Sequence, residues 1–503
     1  MQPWTDGYVT EVPYTAGHHA AMMPRNLALA LLSAGIRPPD LEPGFTYCEL
    51  GFGRGFSLAL TAAANPTGRF YGNDFNPDHV GEAAALALRA GLDNLTVSGC
   101  DFAGYRDEDL PAFDIIALHG IWSWVDAGQR ALLLDFIRHR LKPGGLVYLG
   151  YNVLPGWSQH LGLRRLMLDR LLAEDGPLSR RIPAAVAFAQ SVARAGGGYF
   201  AANPQAAQRL ELLAGRPVAY LAHEYFNQTW EPHYSADVAA DLAGIGLTLA
   251  ASALLADQIG LEALPSDARA LLAAESDPVR RESLLDFLTN QPFRRDIYVR
   301  APHPLSAEER QARLWHQPFL RLTAPEFLPS TLAFPRGEIP LERDLATLVL
   351  ETLESGPATA AELAQGSGVL ADLPADRLTD LLLALTAGDH LAPATGIGTD
   401  ARAARRFNAE VLARSQRDDD YGALACAATG GAIEFDRIER LLLLAERSGA
   451  DPVRFAADAL AHGASLDDLA ARPRGLKRRR QPRLFALADS LQPWSAAESP
   501  GQC

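Results

Sequence analysis

Tyr47-Cys48-Glu49-Leu50-Gly51-Phe52-Gly53-Arg54-Gly55 is the stretch whose reading decides the fold. Apolar and aromatic residues lead into an acid, and three glycines then fall at alternate positions. Phe56 to Ala64 follows with the apolar spacing of a helix. The order is strand, tight turn, helix, which opens a doubly wound nucleotide-binding sheet. Glycine reaches φ > 0 without steric cost, and lacking a Cβ it lets a ligand lie against the main chain. The spacing E-x-G-x-G-x-G differs from the dinucleotide fingerprint G-x-G-x-x-G, where a helix N-terminus faces a pyrophosphate.

The next strand ends carry the argument outward. Arg69 to Asp74 reads as a second strand closing on an acid, about twenty residues past Gly55. In doubly wound nucleotide folds an acid there accepts hydrogen bonds from ribose hydroxyls. Pro77 to Ala90 reads as a helix closed by Gly91, and Leu95 to Gly99 as the third strand, followed by Cys100-Asp101-Phe102. With E-x-G-x-G-x-G, these strand ends resemble the class I S-adenosylmethionine (SAM) methyltransferases. The resemblance implies SAM as cofactor, with Glu49 near its ammonium end and the backbone of Gly51, Gly53 and Gly55 beneath it. It places Asp74 on the ribose, Phe75 and Asn76 beside the adenosine, and Asp101 and Phe102 against the adenine. It also implies that the first forty residues, including Tyr8 and Tyr14, cover the site, with Tyr14 toward the cofactor and Tyr8 toward the acceptor. Those tyrosines packing the leading helix, Pro24 to Ala34, onto the core is the competing reading.

Phe113 to Leu118 is a continuous apolar run, as a buried parallel strand requires. It empties into His119-Gly120-Ile121-Trp122-Ser123-Trp124. Ligands of open parallel sheets bind outside the carboxyl ends of the strands, so this exit faces the transferred methyl group. His119 and Gly120 are expected at the cofactor. Trp122 and Trp124 are expected to line an apolar channel that tolerates a nitrogen turning cationic. His119 as proton acceptor and His119 as a hydrogen-bonded structural residue both stand; either tryptophan alone can be read as core, while the pair favours function. After a helix from Arg130 to Leu141 and the turn Lys142-Pro143-Gly144-Gly145, the fifth strand exits through Tyr151-Asn152-Val153-Leu154-Pro155-Gly156-Trp157. Tyr151, Asn152 and Trp157 are expected to face the same acceptor, with Trp122, Tyr151 and His119 as the catalytic set.

HGIWSW, YNVLPGW and His223-Glu224-Tyr225-Phe226 together narrow the resemblance to bacterial methyltransferases with a methyltransferase regulatory domain, some of which methylate lysines of outer-membrane proteins. The resemblance covers residues 8 to 300 well and the remainder weakly. Phe52 departs from it, standing where many relatives have a small or sulfur-bearing residue. The expected architecture is α/β: a Rossmann-like, seven-stranded class I methyltransferase sheet, then a winged-helix-like module and an α-helical C-terminal domain. The expected boundaries are a cofactor-covering segment at 1–40, strands one to five at 41–157, a helical insertion at 158–232, and completion of the sheet at 233–303. A linker and winged-helix-like domain follow at 304–395, and the helical C-terminal domain at 396–503. Leu247 to Ala251 and Phe293 to Arg300 are the two runs expected to supply strands six and seven.

Composition bounds the partners. At 503 residues the chain is long enough for about three domains. A net charge of −14 opposes nucleic acid and anionic membrane surfaces, and no apolar run reaches the length of a membrane span. Cys48, Cys100, Cys426 and Cys503 have no metal-ligand or disulfide spacing, so no metal is expected and the chain reads as cytoplasmic. Only Lys142 and Lys477 are lysines. GC-rich coding explains that, as does a lysine-modifying enzyme that spares itself. The functional expectation is a SAM-dependent methyltransferase acting on lysines of a protein acceptor, with a small molecule or surface glycan, or a SAM-binding scaffold without turnover, as the other readings. A homodimer stays open.

Overall fold

The computed structural model describes residues 16–395, 399–460, 483 and 487–491. Helix α1 (Pro24–Ser33) precedes β1 (Thr46–Leu50), α2 (Phe56–Ala64), β2 (Arg69–Asn73), α3 (Pro77–Ala90) and β3 (Leu95–Ser98). Then come α4 (Phe102–Asp107), β4 (Phe113–His119), α5 (Ala127–Arg140) and β5 (Leu141–Asn152). The inserted helices are α6 (Leu161–Leu172), α7 (Leu178–Arg194), α8 (Gly198–Ala202), α9 (Pro204–Leu213) and α10 (Val218–Tyr225). Beyond them lie α11 (Ser235–Ala243), β6 (Leu247–Ser252), α12 (Leu255–Ile259), α13 (Ser266–Ala274), α14 (Pro278–Thr289) and β7 (Phe293–Arg300).

The sheet order is β3-β2-β1-β4-β5-β7-β6, and β7 runs antiparallel to both neighbours. The two late runs therefore close the sheet as strands six and seven. Chain order reverses direction between β1 and β4, which makes their carboxyl ends the ligand crevice. Strand alternation then sorts the side chains. Tyr47, Ala117, Tyr148 and Ile297 share a core with α1 and α2, while Cys48, Leu118, Tyr151 and Tyr298 share one with α4, α5 and α11. Glu49 and His119 share the parity of the first set. The inserted helices bury a core of their own, built around Leu163, Ile182, Leu210 and Tyr225.

The next module runs through α15 (Ala307–Trp315), β8 (Pro318–Arg321), the hairpin β9 (Thr331–Phe334) and β10 (Gly337–Pro340), and α16 (Arg343–Thr352). It continues with β11 (Ala358–Thr359), α17 (Ala360–Gly366), α18 (Gly368–Ala371), α19 (Ala375–Ala387) and β12 (Leu391–Pro393). The antiparallel sheet β11-β8-β12 backs the helices in winged-helix fashion, and Leu29 and Leu32 of α1 enter its core.

The C-terminal part holds α20 (Arg402–Arg414), β13 (Ala423–Cys426), β14 (Gly431–Glu434), α21 (Arg437–Ser448) and α22 (Pro452–Leu460). It is not purely helical. The β13–β14 hairpin is made of small residues, Ala423-Leu424-Ala425-Cys426 and Gly431-Ala432-Ile433, whose pattern lacks the alternation that marks a half-exposed strand. Both strands pack against α2, with β13 wholly buried and Ala432 and Glu434 of β14 turned outward. No helix among the described residues is long and apolar enough to cross a membrane.

Candidate active site

The turn after β1 takes φ of +70°, +60° and +73° at Gly51, Gly53 and Gly55. A Cβ at Gly51 would lie 2.3 Å from Ile121 Cδ1, and one at Gly55 would lie 2.4 Å from Ala83 Cβ. The turn therefore needs glycine for conformation and for space. Asp74, just past β2, fixes it from beside: Oδ2 accepts from Gly53 N at 2.9 Å and Oδ1 from Asn76 N at 2.9 Å. Phe52 is buried and fills the space that the missing side chain of Gly72 leaves.

One cavity opens over this turn. It is lined by Glu49, Gly51, Gly53, Gly55, Asp74, Phe75, Asp101, Phe102, His119 and Gly120, all expected at the cofactor, together with Trp124 from the expected acceptor set. Asp101 caps α4 by accepting from Gly104 N at 2.8 Å. Four further atoms on this wall, Glu49 Oε2, Ser57 Oγ, Asn73 Oδ1 and His79 Nε2, are buried with no hydrogen-bond partner among the described residues. Buried polar atoms are rarely left unpaired, so such a ring fits a ligand rich in polar groups. Burial, with the charge of Asp74 next, pushes the Glu49 carboxyl up to about 8. A cation placed beside it would bring it back to the ionised form.

His119 lines the cavity from the end of β4, the strand beside β1. Its Nδ1 lies 2.7 Å from the Tyr148 hydroxyl, and its ring stacks on His19 at 3.7 Å. Burial, then the charges of His19 and Arg295, hold His119 well below the ordinary imidazole range, so the ring is neutral near pH 7. Burial does the same to His19, lowering it to about 4.

Several expected acceptor residues are elsewhere. Trp122 is fully buried in the core beneath the site, because the single 3-10 turn Trp122–Trp124 sends its two tryptophans in different directions. Tyr151 is buried too, on the sheet face away from the cavity. Its hydroxyl donates to Asp296 Oδ2 at 2.8 Å in a network where Arg294 binds Asp286 and Asp296. Asn152 is buried and its backbone N–H donates to Ser123 Oγ. Trp157 belongs to the core of the inserted helices, meeting Trp230 at 4.8 Å, and Trp230 meets Trp124 at 6.0 Å. Trp122, Tyr151, Asn152 and Trp157 are not among the residues that line this cavity. Tyr8 and Tyr14 lie outside the described residues.

Residues that sequence reasoning missed complete the wall. Ala16, Gly17 and His19 reach it from the N-terminal segment, and His223 and Asn227 from the end of the insertion. His223 stood in the quoted HEYF run with no role assigned, and His79 follows Asp74 by one helical turn. The Nδ1 of His79 is 3.2 Å from Asp74 Oδ1. Among the described residues no group of three or more His, Cys, Asp or Glu is placed to hold a metal ion.

Residues 217–300 match a family described as a predicted methyltransferase regulatory domain. An uncharacterised protein of Synechocystis is 36% identical over 457 residues, 90% of each chain. This chain belongs to the SAM-dependent methyltransferases that carry the regulatory domain. A tRNA (guanine-N(7)-)-methyltransferase of Yersinia enterocolitica is 31% identical over 20% of this chain and 46% of its own. The structure of PKMT2 from Rickettsia typhi in complex with AdoHcy shares the fold, with a TM-score of 0.66 at 18% identity over 97% of this chain and 94% of that one. In this methyltransferase the matched regulatory segment spans α10 to β7, so it supplies His223 and Asn227 to the cavity and two strands to the catalytic sheet.

Proposed function

We propose that the methyltransferase N-methylates lysine side chains of a protein acceptor. The observation that carries the reading is one cavity whose wall combines a polar set, Glu49, Asp74 and the glycine turn, with His119 and Trp124. Likeness of the whole fold to PKMT2, a protein lysine methyltransferase, supports the acceptor class. The polar set is read as the cofactor's place. Glu49 takes the ammonium end, the glycine backbone the amino-acid tail, and Asp74 with His79 the ribose hydroxyls. Phe75 and Phe102 flank the adenine. Bound SAM supplies an electrophilic methyl group on a sulfonium.

The chain's own residues then have three tasks. The first is alignment, since displacement at a methyl carbon needs nucleophile and leaving sulfur in line. The second is exclusion of water, to which α10 and the N-terminal segment contribute by supplying residues to the cavity wall. The third is proton removal, because only a neutral amine has a lone pair. Desolvation against Trp124 disfavours the ammonium. His119, neutral and held through Nδ1 by Tyr148, is read as the wall residue that orients the amine.

The test uses purified protein, SAM labelled in the methyl group, and a bacterial lysate separated into protein, lipid-glycan and small-molecule pools. Label in protein, mapped to lysine Nζ, is the expected result. Label confined to the other pools overturns the acceptor while keeping the methyltransferase.

A further inference from the structure

The glycine turn carries two side chains that leave it on the side of the C-terminal part. Arg54, between Gly53 and Gly55, donates to Glu82 of α3 through both Nε and Nη2 at 2.7 Å. The same Nη2 donates to Asp420 Oδ2 at 2.7 Å, across 366 positions of sequence. Arg414, at the end of α20, closes the arrangement by donating to Glu82 at 3.1 Å and to Asp420 at 2.9 Å. Tyr421 donates its hydroxyl to Glu82 at 2.7 Å, and its ring lies flat on Phe56 at 4.4 Å and 9°. Arg54 and Phe56 both line the cavity.

A turn with three residues at positive φ has much conformational freedom to lose, and Asn73 and Asp74 hold its backbone from the side of β2. Here two arginines and two carboxylates alternate in a partly buried ring, with Arg54 11% and Arg414 19% exposed. Bidentate and shared contacts of this kind fix geometry more than isolated surface pairs do. The C-terminal part thus grips the element that faces the cofactor.

We propose that Asp420, with Arg414 and Tyr421, is a positioning residue of the cofactor site. It holds Arg54 and Phe56 so that the glycine backbone is already in its binding conformation. Cofactor affinity in this protein then depends on the C-terminal part, whose described residues contribute nothing to the cavity wall itself. The internal control is Arg89–Glu410, an exposed ion pair at 2.8 Å that joins the same α3 and α20 without reaching the turn.

The experiment measures AdoHcy binding by titration calorimetry, with the melting temperature of the ligand-free protein alongside, in the full chain. Asp420→Ala and the isosteric Asp420→Asn are expected to weaken AdoHcy about 5-fold or more, the usual lower range for coupled sites. Asp420→Glu restores most of it, and Glu410→Ala leaves affinity unchanged. The double variant Arg54→Ala with Asp420→Ala binds no worse than Arg54→Ala alone, since both act through one contact. Wild-type affinity in Asp420→Asn overturns the proposal, as does an equal loss in Glu410→Ala, which would trace the effect to docking in general. Absence of AdoHcy binding by the wild type would instead strike the cofactor assignment on which the clamp rests.

Discussion

Glu49 concentrates the chemistry of the site in one carboxyl group. Buried, next to Asp74, and with one oxygen unpartnered, it holds a proton at neutral pH. Its folded value is raised, so the stability it contributes to the ligand-free protein is complete below the ordinary glutamate range of about 4.3 and is lost as pH rises through about 8. Binding a cationic amino group reverses the preference and expels the proton. AdoHcy affinity should therefore rise between pH 6 and pH 8, with proton release seen as a buffer-dependent enthalpy in calorimetry. Glu49→Gln should lose both effects and weaken binding about 10- to 100-fold, the range for a hydrogen bond to a charged group. A binding curve independent of pH in the wild type would place the ammonium elsewhere.

The exit of β4 shows what a single turn does to a motif. In HGIWSW the apolar strand delivers His119 to the cavity, Gly120 takes φ +70°, and the following 3-10 turn separates Trp122 from Trp124. Trp122 becomes core and Trp124 becomes wall. Trp122→Ala should cost about 3–5 kcal/mol of stability, as large-to-small changes in a full core do. Trp124→Ala should cost less stability and lower kcat/KM for methyl transfer. Urea denaturation and the labelled-SAM assay distinguish the two, and a reversed pattern would return Trp122 to the acceptor. Neither assignment was readable beforehand, because both tryptophans stand at the same strand exit and only the turn's geometry sorts them.

Across the whole molecule, three bodies pack around the catalytic sheet and its helices. The inserted helices bring His223 and Asn227 over the cavity, α1 joins the winged-helix-like core to the catalytic one, and the C-terminal part holds the glycine turn. The last of these contacts is sensitive to acid. Burial raises Glu82 and Asp420, but the bonds from Arg54, with Tyr421 or Arg414 added, outweigh it and leave both below the ordinary carboxylate range. With folded values depressed, their contribution is present above the unfolded values of about 4 and lost as pH falls through the lower folded ones. Between pH 5 and pH 3, amides of α20 and β13 should lose hydrogen-exchange protection before those of β4 and β5. Loss in the opposite order would show that the interface rests on its apolar contacts alone.

The sequence by itself determined the catalytic sheet and the polar set of the cavity wall. Glu49, the three glycines, Asp74 and Asp101 sit at ends of strands whose order follows from local pattern, and a strand end in a doubly wound sheet has one place to be. It also marked the two late strands, since the alternation of Phe293 to Arg300 is a local signal. The tertiary structure decided the rest. Tyr151 was read as facing the acceptor, yet residue parity along β5 turns it to the other face, where it donates to Asp296, itself held by Arg294. Trp157 was absorbed by helices that fold back upon it. Asp420 reaches Arg54 only because α20 packs on α2 and α3. Contacts between residues hundreds of positions apart leave no periodicity in the chain, so they become legible only once the surfaces that carry them have packed.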